Sequence, residues 1–266
     1  MKLLSKILNN IPNINRFERI WKIAQIDFKK RYYNDRLGLI WALLNPIMSV
    51  SVYYIVFTMI MNRVSEGIDN YALFIFSGLI FWIAFVEMLK KGMKTLISKS
   101  YLIENIKLNK IDLYLSICLS ISMALIFNIS AYLIMAKLFG VNYSYLLLYL
   151  PILILNIFLI GCGTSMILSV VLIHFRDINH IVDIAIKLGF WTSGIFFKAE
   201  LILDKLPFVY YINPFVGIIE NARNIALYNT CPNLVTMNLN VLIGIFIFII
   251  GAIYVERFGH LACEKL

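Results

Sequence analysis

Charged residues are scarce in this chain of 266 residues. Asp, Glu, Lys and Arg make up 15% of the sequence and hydrophobic residues 61%, and the mean hydropathy is +0.83. Soluble domains carry about 25% charged residues, and the apolar runs leave little sequence for a soluble domain. The composition therefore predicts an all-α polytopic membrane protein.

Three further absences exclude classes of function. No Gly-Lys dipeptide occurs, so the chain lacks the phosphate loop that ends in Gly-Lys-Ser/Thr, and we expect it to bind no ATP. The predicted membrane helices carry no series of deep carboxylates, which argues against an ion-coupled pump. They also lack converging carboxylates or histidines, which argues against an intramembrane lipid or sugar transferase. The cysteines show neither a metal nor a disulfide spacing; they are Cys118, Cys162, Cys231 and Cys263.

Six apolar segments are long enough to cross a membrane, which takes about 20 residues in a helix. They lie at residues 37–62, 71–89, 111–138, 146–173, 181–197 and 238–256. We therefore predict a cytoplasmic N-terminal segment, 1–36, followed by a six-helix transmembrane domain, 37–266.

Basic residues concentrate in alternate connections. The segment before the first crossing holds nine of them and the stretch from Lys90 to Lys110 holds six, whereas the connection 62–71 holds Arg63 alone. The positive-inside rule then predicts that both termini are cytoplasmic. Topology and anionic membrane lipids explain the net charge of +9 better than nucleic acid does.

Residues 16–33 predict an amphipathic interface helix. One stripe carries Phe17, Ile20, Trp21, Ala24, Phe28 and Tyr32, and the stripe largely opposite carries Arg19, Lys22, Lys29 and Lys30. Such a helix lies in the membrane interface with its basic face toward headgroups and water. It either anchors the chain only or also forms a surface for a partner.

The connection between the second and third crossings is too long for a tight turn. Ser98 or Ser100 is suited to cap a short helix that presents Tyr101, Leu102 and Ile103 to a soluble partner. A solvated basic loop is the alternative interpretation.

A second charged group follows the fourth crossing and comprises His174, Arg176 and Asp177. His174 and His180 have no third ligand nearby, so we predict no metal site. Local charge, with Asp177 capping the next helix, explains the group better.

Polar side chains inside the crossings have structural interpretations. Glu87 precedes Lys90 and Lys91 by three and four residues, and Asp183 precedes Lys187 by four, so both are predicted to form local helical pairs. Three amides are expected to join helices, namely Asn45, Asn128 and Asn156.

Aromatic side chains gather toward the outer half of the predicted crossings. They include Tyr53, Phe57, Phe81, Trp82, Phe85, Trp191, Phe196 and Phe197. An interfacial belt is one interpretation, and the lining of a conduit is the other. The sequence leaves both open.

The segment 198–228 is unusual for an external loop, because apolar residues fill much of it. Asn213-Pro214 predicts an N-cap followed by a first helical residue. Glu220 and Arg223 are expected on a different helix face from the apolar side chains. Two short helices that enter the membrane and return fit this pattern, with Asn213, Pro214 and Glu220 as an external gate.

Three segments resemble the permease family of type-2 ABC exporters for lipid-linked polysaccharides. They are the basic run into LGLIWALLNP (Leu37–Pro46), the RDI of Arg176–Ile178, and YINPFVGIIENAR (Tyr211–Arg223). The resemblance covers nearly the whole chain.

The resemblance implies an inner-membrane homodimer bound to two copies of a separate ATPase subunit, which carries ATP and Mg²⁺. This chain would hold no catalytic residue or cofactor. Residues 98–107 and 174–179 match the family's coupling elements, residues 16–33 its interface helix, and 198–228 its re-entrant external helices. On the conduit interpretation, the aromatic side chains form a substrate pathway on which sugar faces stack. O-antigen, for lipopolysaccharide biosynthesis, is the expected cargo; teichoic acid, capsule, or a drug or small lipid are the alternatives.

Overall fold

Helices account for the regular structure in the described part of the chain. A computed structural model describes residues 15–33, 70–100 and 108–263, together with the π-helical turn Ile55–Ile60 and a few single positions between 38 and 52. No strand occurs among these residues, so the all-α prediction is confirmed there.

The helices have the following bounds in chain order. They are α1 (Arg16–Tyr33), α2 (Tyr71–Met93), α3 (Thr95–Ser98), α4 (Lys110–Leu138), α5 (Leu150–His174), α6 (Ile178–Thr192), α7 (Ala199–Lys205), α8 (Pro207–Ile212), α9 (Pro214–Ala226) and α10 (Leu234–Cys263). A 3₁₀ turn, Tyr145–Tyr149, leads into α5.

In the described part of the chain, four helices are long and apolar enough to cross a membrane: α2, α4, α5 with its preceding turn, and α10. They confirm the apolar membrane-length helices predicted at 71–89, 111–138, 146–173 and 238–256. Most of 37–62 lies outside the described residues. The segment 181–197 falls on α6, which has 15 residues where a crossing helix needs about 20. A total of six crossings stays a prediction.

Helix α5 packs tightly between α2 and α10. Gly161 and Gly163 are two positions apart, about 200° around the helix, and so face different neighbours. A Cβ atom on Gly161 would lie 2.9 Å from Met88 Sδ of α2, and one on Gly163 would lie 2.6 Å from the Phe248 nitrogen of α10. Gly251 of α10 approaches the backbone of Gly163. Gly163 and Gly251 therefore let the backbones of α5 and α10 approach closely, whereas Gly161 makes room for the Met88 side chain of α2.

Of the three amides expected to join helices, Asn156 does not do so in the described part of the chain. Neither polar atom of the buried Asn156 side chain, nor the side-chain oxygen of Asn128, has a hydrogen-bond partner among the described residues, and Asn45 lies outside them. The neighbouring hydroxyls bond within their own helices instead: Ser165 Oγ donates to the Cys162 carbonyl and Ser122 Oγ to the Cys118 carbonyl, both at 2.9 Å.

Helix α1 has the predicted bounds and packs against the beginning of α4. Ile20, Ile23 and Ala24 are buried, whereas the side chains of Phe17 and Trp21 are exposed. The predicted apolar stripe is thus divided, because only the part that faces α4 is covered by protein.

Candidate functional site

Six aromatic rings form a continuous cluster where α2, α6 and α9 meet. The ring centroids of Phe85 and Phe215 are 4.3 Å apart, and those of Phe190 and Phe196 are 5.3 Å apart. Trp82 connects the two halves through Phe190, at 6.2 Å. The members are Trp82, Phe85, Phe190, Trp191, Phe196 and Phe215. Ring pairs of this kind add about 0.5–1.5 kcal/mol each beyond area burial.

The cluster brings together four of the predicted pathway residues. Trp82, Phe85 and Phe196 are buried, whereas the Trp191 side chain is 52% exposed. Within one chain the buried rings are core, and Trp191 offers a free aromatic face. The sequence did not single out Phe190 and Phe215 as ring partners, although Phe190 directly precedes Trp191.

The other predicted pathway residues lie apart from the cluster. Phe81 is buried and lines a small void with Ile129 and Tyr132 of α4. Phe197 is partly buried. Tyr53 and the Phe57 side chain lie outside the described residues. A substrate pathway lined by these aromatic residues stays a prediction.

Arg223 of α9 is the most heavily bonded buried charge in the described part of the chain. Its side chain makes five donor contacts, all to backbone carbonyls, and its Cζ lies 3.4 Å from the Phe74 ring centroid. The acceptors are Phe74 (3.2 Å from Nη2 and 3.3 Å from Nε), Gly194 (2.7 Å), Ile195 (2.7 Å) and Phe197 (3.4 Å).

These contacts explain why α6 ends at Thr192. Gly194 has φ +73°, so the chain leaves the helix there, and the exposed carbonyls of the next residues need donors. Arg223 supplies them, as non-helical backbone away from water requires. The expectation that Arg223 lies apart from the apolar face is wrong, because its side chain is buried together with Ile219 and Ala222.

Asn213 confirms the predicted N-cap, with Pro214 as the first residue of α9. Its side-chain oxygen accepts from the Phe215 amide at 3.1 Å. Its side-chain nitrogen donates to the Thr192 carbonyl at 3.3 Å and to Ser193 Oγ at 3.2 Å. Asn213 therefore joins the end of α6 to the beginning of α9. The segment contains three short helices rather than the two expected, because Pro207 starts a new one.

Glu220 lies outside the four membrane-length helices and is partly buried. Tyr210 Oη donates to Glu220 Oε2 at 3.2 Å. Burial raises the pKa of the Glu220 carboxyl, and the Glu200 carboxylate adds to the shift. Both carboxyl groups line a cavity of about 480 Å³ with Lys198 and Arg223. This polar cavity lies within the predicted gate segment.

Asp112, in the first turn of α4, holds the interface helix. Its side chain is fully buried, and its two oxygens accept from Arg16 Nε at 2.7 Å and from Arg19 Nη2 at 2.8 Å. A carboxylate is also favoured at a helix N-terminus by the helix dipole. The sequence reasoning missed this residue, and Arg19 turns toward it rather than toward headgroups and water as expected.

The pairs predicted inside single helices are partly wrong. Glu87 pairs with Lys91 at 2.6 Å, as expected, and also with Arg31 of α1 at 2.5 Å. Asp183 pairs with Lys90 of α2 at 2.9 Å, rather than with Lys187. Lys90, in the last turn of α2, lies beside α6, so the pair connects two helices that are distant in sequence.

The predicted coupling residues lie at the ends of helices. Ser98 is the last residue of α3, and its hydroxyl donates to the Thr95 carbonyl at 3.5 Å; the short helix predicted to follow lies outside the described residues. His174 ends α5, and Asp177 occupies the N-cap position of α6 without a side-chain bond to that helix. Arg176 and Asp177 are exposed. Tyr101, Leu102 and Ile103 lie outside the described residues.

The similarity to known proteins extends over most of the chain, including the residues described above. A family model described as ABC-2 type transporter matches residues 18–227, which run from α1 to just beyond α9. Two proteins of Klebsiella pneumoniae named O-antigen export system permease protein RfbA are 24% and 25% identical over 251 residues, which are 94% of this chain and 95% of theirs. A protein of the same name from Myxococcus xanthus is 23% identical over 213 residues, 79% of this chain and 81% of its own.

Proposed function

Because this chain belongs to the ABC-2 type transporter family, we propose that it is the membrane-spanning permease of an ATP-driven exporter whose cargo is a lipid-linked polysaccharide, O-antigen above all. The observation that carries the proposal is the near full-length similarity to three proteins named as O-antigen export permeases. The chain is a transport subunit, with four apolar helices long enough to cross a membrane.

The working unit we propose is a homodimer with six crossings per chain, bound to two separate ATPase subunits that hold ATP and Mg²⁺. It lies in the inner membrane with all permease termini cytoplasmic. The missing Gly-Lys-Ser/Thr motif and the basic residues of alternate connections support this arrangement. An outward apolar face on α6 is available to lipid or to a second copy; it comprises Ile181, Ile184, Leu188 and Trp191.

The two ends of the permease have different tasks in this proposal. The exposed residues Arg176 and Asp177 contact the ATPase, together with the segment that follows Ser98. The segment from α7 to α9, which Arg223 and Asn213 attach to the end of α6, acts as the external gate. Trp191 borders the pathway between them and offers its ring to passing sugars.

Reconstitution tests the function directly. The chain is purified with its partner ATPase and placed in proteoliposomes that contain lipid-linked O-antigen. We expect ATP-dependent movement of glycan to the far side, measured by the access of an impermeant glycosidase. An ATPase without its catalytic glutamate is the matched control.

Two results would contradict the proposal. Movement of a fluorescent lipid or drug but of no glycan would favour the alternative cargo. ATP hydrolysis by the isolated, homogeneous chain would contradict its assignment as a transport subunit that depends on a separate ATPase.

A further inference from the structure

A cavity of about 520 Å³ lies where α1, the last turn of α2, α3 and α4 meet. Its wall combines two kinds of surface. Ile117 and Ile121 of α4 contribute apolar side chains, with Ser120 between them. The remainder is strongly basic, with cations from three separate segments: Lys30, Arg31, Lys90, Lys91, Lys94 and Lys99.

The positive charge of this cavity is only partly neutralised. Asp27 is the one carboxylate in the described wall, and it pairs with Lys99 at 2.7 Å. Glu87 and Asp183 reach other wall cations from outside the lining. With these two included, cations still outnumber carboxylates by two to one. Lys30 and Lys94 form no ion pair within the described part of the chain.

Membrane topology alone does not account for this arrangement. The positive-inside rule needs basic residues on the cytoplasmic side, but they satisfy it equally well when spread over the surface. Here six cations surround one concavity, where their mutual repulsion is relieved by a bound anion. The apolar wall formed by Ile117 and Ile121 suits a ligand that is anionic at one end and hydrocarbon at the other.

We propose that this cavity binds the phosphate headgroup of a membrane lipid, with Lys30 and Lys94 as headgroup contacts and the hydrocarbon chain along α4. Basic pockets between helices at the cytoplasmic membrane surface are suited to anionic headgroups. The inference depends only on the charge and shape of the cavity and stands without the export function. A glycerophospholipid and a polyprenyl diphosphate share the required chemistry, and export bears only on which of them binds.

The test measures lipid binding to the full-length chain in detergent by native mass spectrometry. The probes are phosphatidylglycerol, polyprenyl diphosphate, inorganic pyrophosphate, and phosphatidylcholine as the zwitterionic reference. The variant Lys30→Gln/Lys94→Gln removes two wall cations. The control Lys22→Gln/Lys29→Gln removes the same charge from α1 outside the described lining. Lys30→Arg/Lys94→Arg keeps the charge in place.

We expect saturable binding of at least one phosphate lipid. Lys30→Gln/Lys94→Gln should weaken it about 25-fold, about fivefold for each lysine near the surface, while the control and the arginine variant bind as the wild type does. Preference for polyprenyl diphosphate would identify the natural ligand as a lipid carrier. Equally tight binding of phosphatidylglycerol would identify it as a bulk membrane lipid.

Three outcomes would overturn the proposal. They are equal weakening by the control and cavity variants, phosphatidylcholine binding as tight as that of the anionic lipids, and binding of pyrophosphate alone, which would indicate a soluble anion site. Melting temperatures of all variants check that the fold is kept.

Discussion

Arginine side chains hold two regions of this molecule in opposite ways. In the segment that joins α6 to α9, Arg223 is buried and, among the described residues, donates to four backbone carbonyls and to no carboxylate. At the interface helix, Arg16 and Arg19 are partly exposed and both donate to one buried carboxylate, Asp112. The first arrangement is internal to the fold, whereas water reaches the second from one side.

This difference indicates which of the two regions separates more easily from the rest of the protein. If the guanidinium leaves, four carbonyls lose the donors that they have in this structure, so we expect the end of α6 and α9 to stay together. Arg16 and Arg19 are partly open to water in the folded state, so we expect α1 to be the more separable of the two elements. A helix of this kind suits a part that transmits movement from a soluble partner.

The largest expected effect comes from removing Arg223. Arg223→Met leaves buried carbonyls without donors at about 1–3 kcal/mol each, so we expect a loss of at least about 4 kcal/mol. The measurements are the melting temperature and the monodisperse yield in detergent. Arg223→Lys should give an intermediate loss, since an ammonium has three donors rather than five.

Arg176→Met removes the same charge from an exposed position and is the matched control. A melting temperature equally low in this variant, or unchanged in Arg223→Met, would contradict the role assigned to the buried guanidinium.

Substitutions in the aromatic cluster, on the side proposed to be external, distinguish a packing role from a transport role. Trp82→Leu removes a buried ring and should cost about 2 kcal/mol, with export falling only as the folded fraction falls. Trp191→Leu removes a half-exposed ring that packs against Phe190 and Phe196, and should cost about 1 kcal/mol, less than Trp82→Leu. If Trp191 borders the pathway, export per folded molecule should nevertheless drop.

Surface glycan per molecule of membrane-inserted variant is the measurement for this pair. Full export by Trp191→Leu would leave the stacking role without support and favour the interfacial belt.

Asp112→Asn should weaken the attachment of α1 to α4 without affecting the segment around Arg223. Hydrogen bonds to charged groups contribute about 1.5–3 kcal/mol, and solvent access for both arginines lowers the cost, so we expect about 2 kcal/mol. Hydrogen exchange in α1 should accelerate, while exchange in 192–226 stays as in the wild type. Glu18→Gln, which breaks only the exposed pair with Lys22, should have little effect. Equal acceleration of exchange in α1 and in residues 192–226 would show that the two regions are not held independently.

Raising the salt concentration should give the smallest effect, and it should again affect hydrogen exchange in α1 more than exchange around Arg223. The Debye length falls from about 10 Å at 0.1 M to about 3 Å at 1 M, which weakens ion pairs that water can reach. We expect modestly faster exchange in α1 at 1 M salt and no change around Arg223. If salt accelerated hydrogen exchange only in residues 192–226, the assignment of α1 as the more separable region would be wrong.

Local signals in the sequence were sufficient for the long helices, for α1 and for the beginning of α9, but not for the end of α6 or the number of short helices after it. Long apolar runs located α2, α4, α5 and α10, the 100° periodicity gave the bounds of α1, and Asn213-Pro214 gave the beginning of α9. Each signal lies within a few residues of the feature that it predicts. The local pairing rule likewise gave the contact of Glu87 with Lys91.

Contacts between distant segments could not be obtained in this way. Arg223 and Phe74 are 149 residues apart, and Asp112 and Arg16 are 96 apart. Periodicity shows which face of a helix is apolar but not which neighbour covers it. The sequence therefore placed Arg223 away from the apolar face and paired Asp183 with Lys187, although the partner of Asp183 comes from another helix.

The glycines of α5 determine how its two neighbours are held. Gly163 and Gly251 bring the backbones of α5 and α10 into direct contact, whereas Gly161 makes room for the Met88 side chain of α2. Sliding is therefore hardest between α5 and α10, and we expect these two helices to move together.

Helix α6 fully buries only Val182 among its fifteen residues. Its end is fixed to α2, because Arg223 bonds both Phe74 of α2 and the carbonyls that follow α6. Its beginning, where the half-exposed pair Lys90–Asp183 joins the two helices, is the freer end.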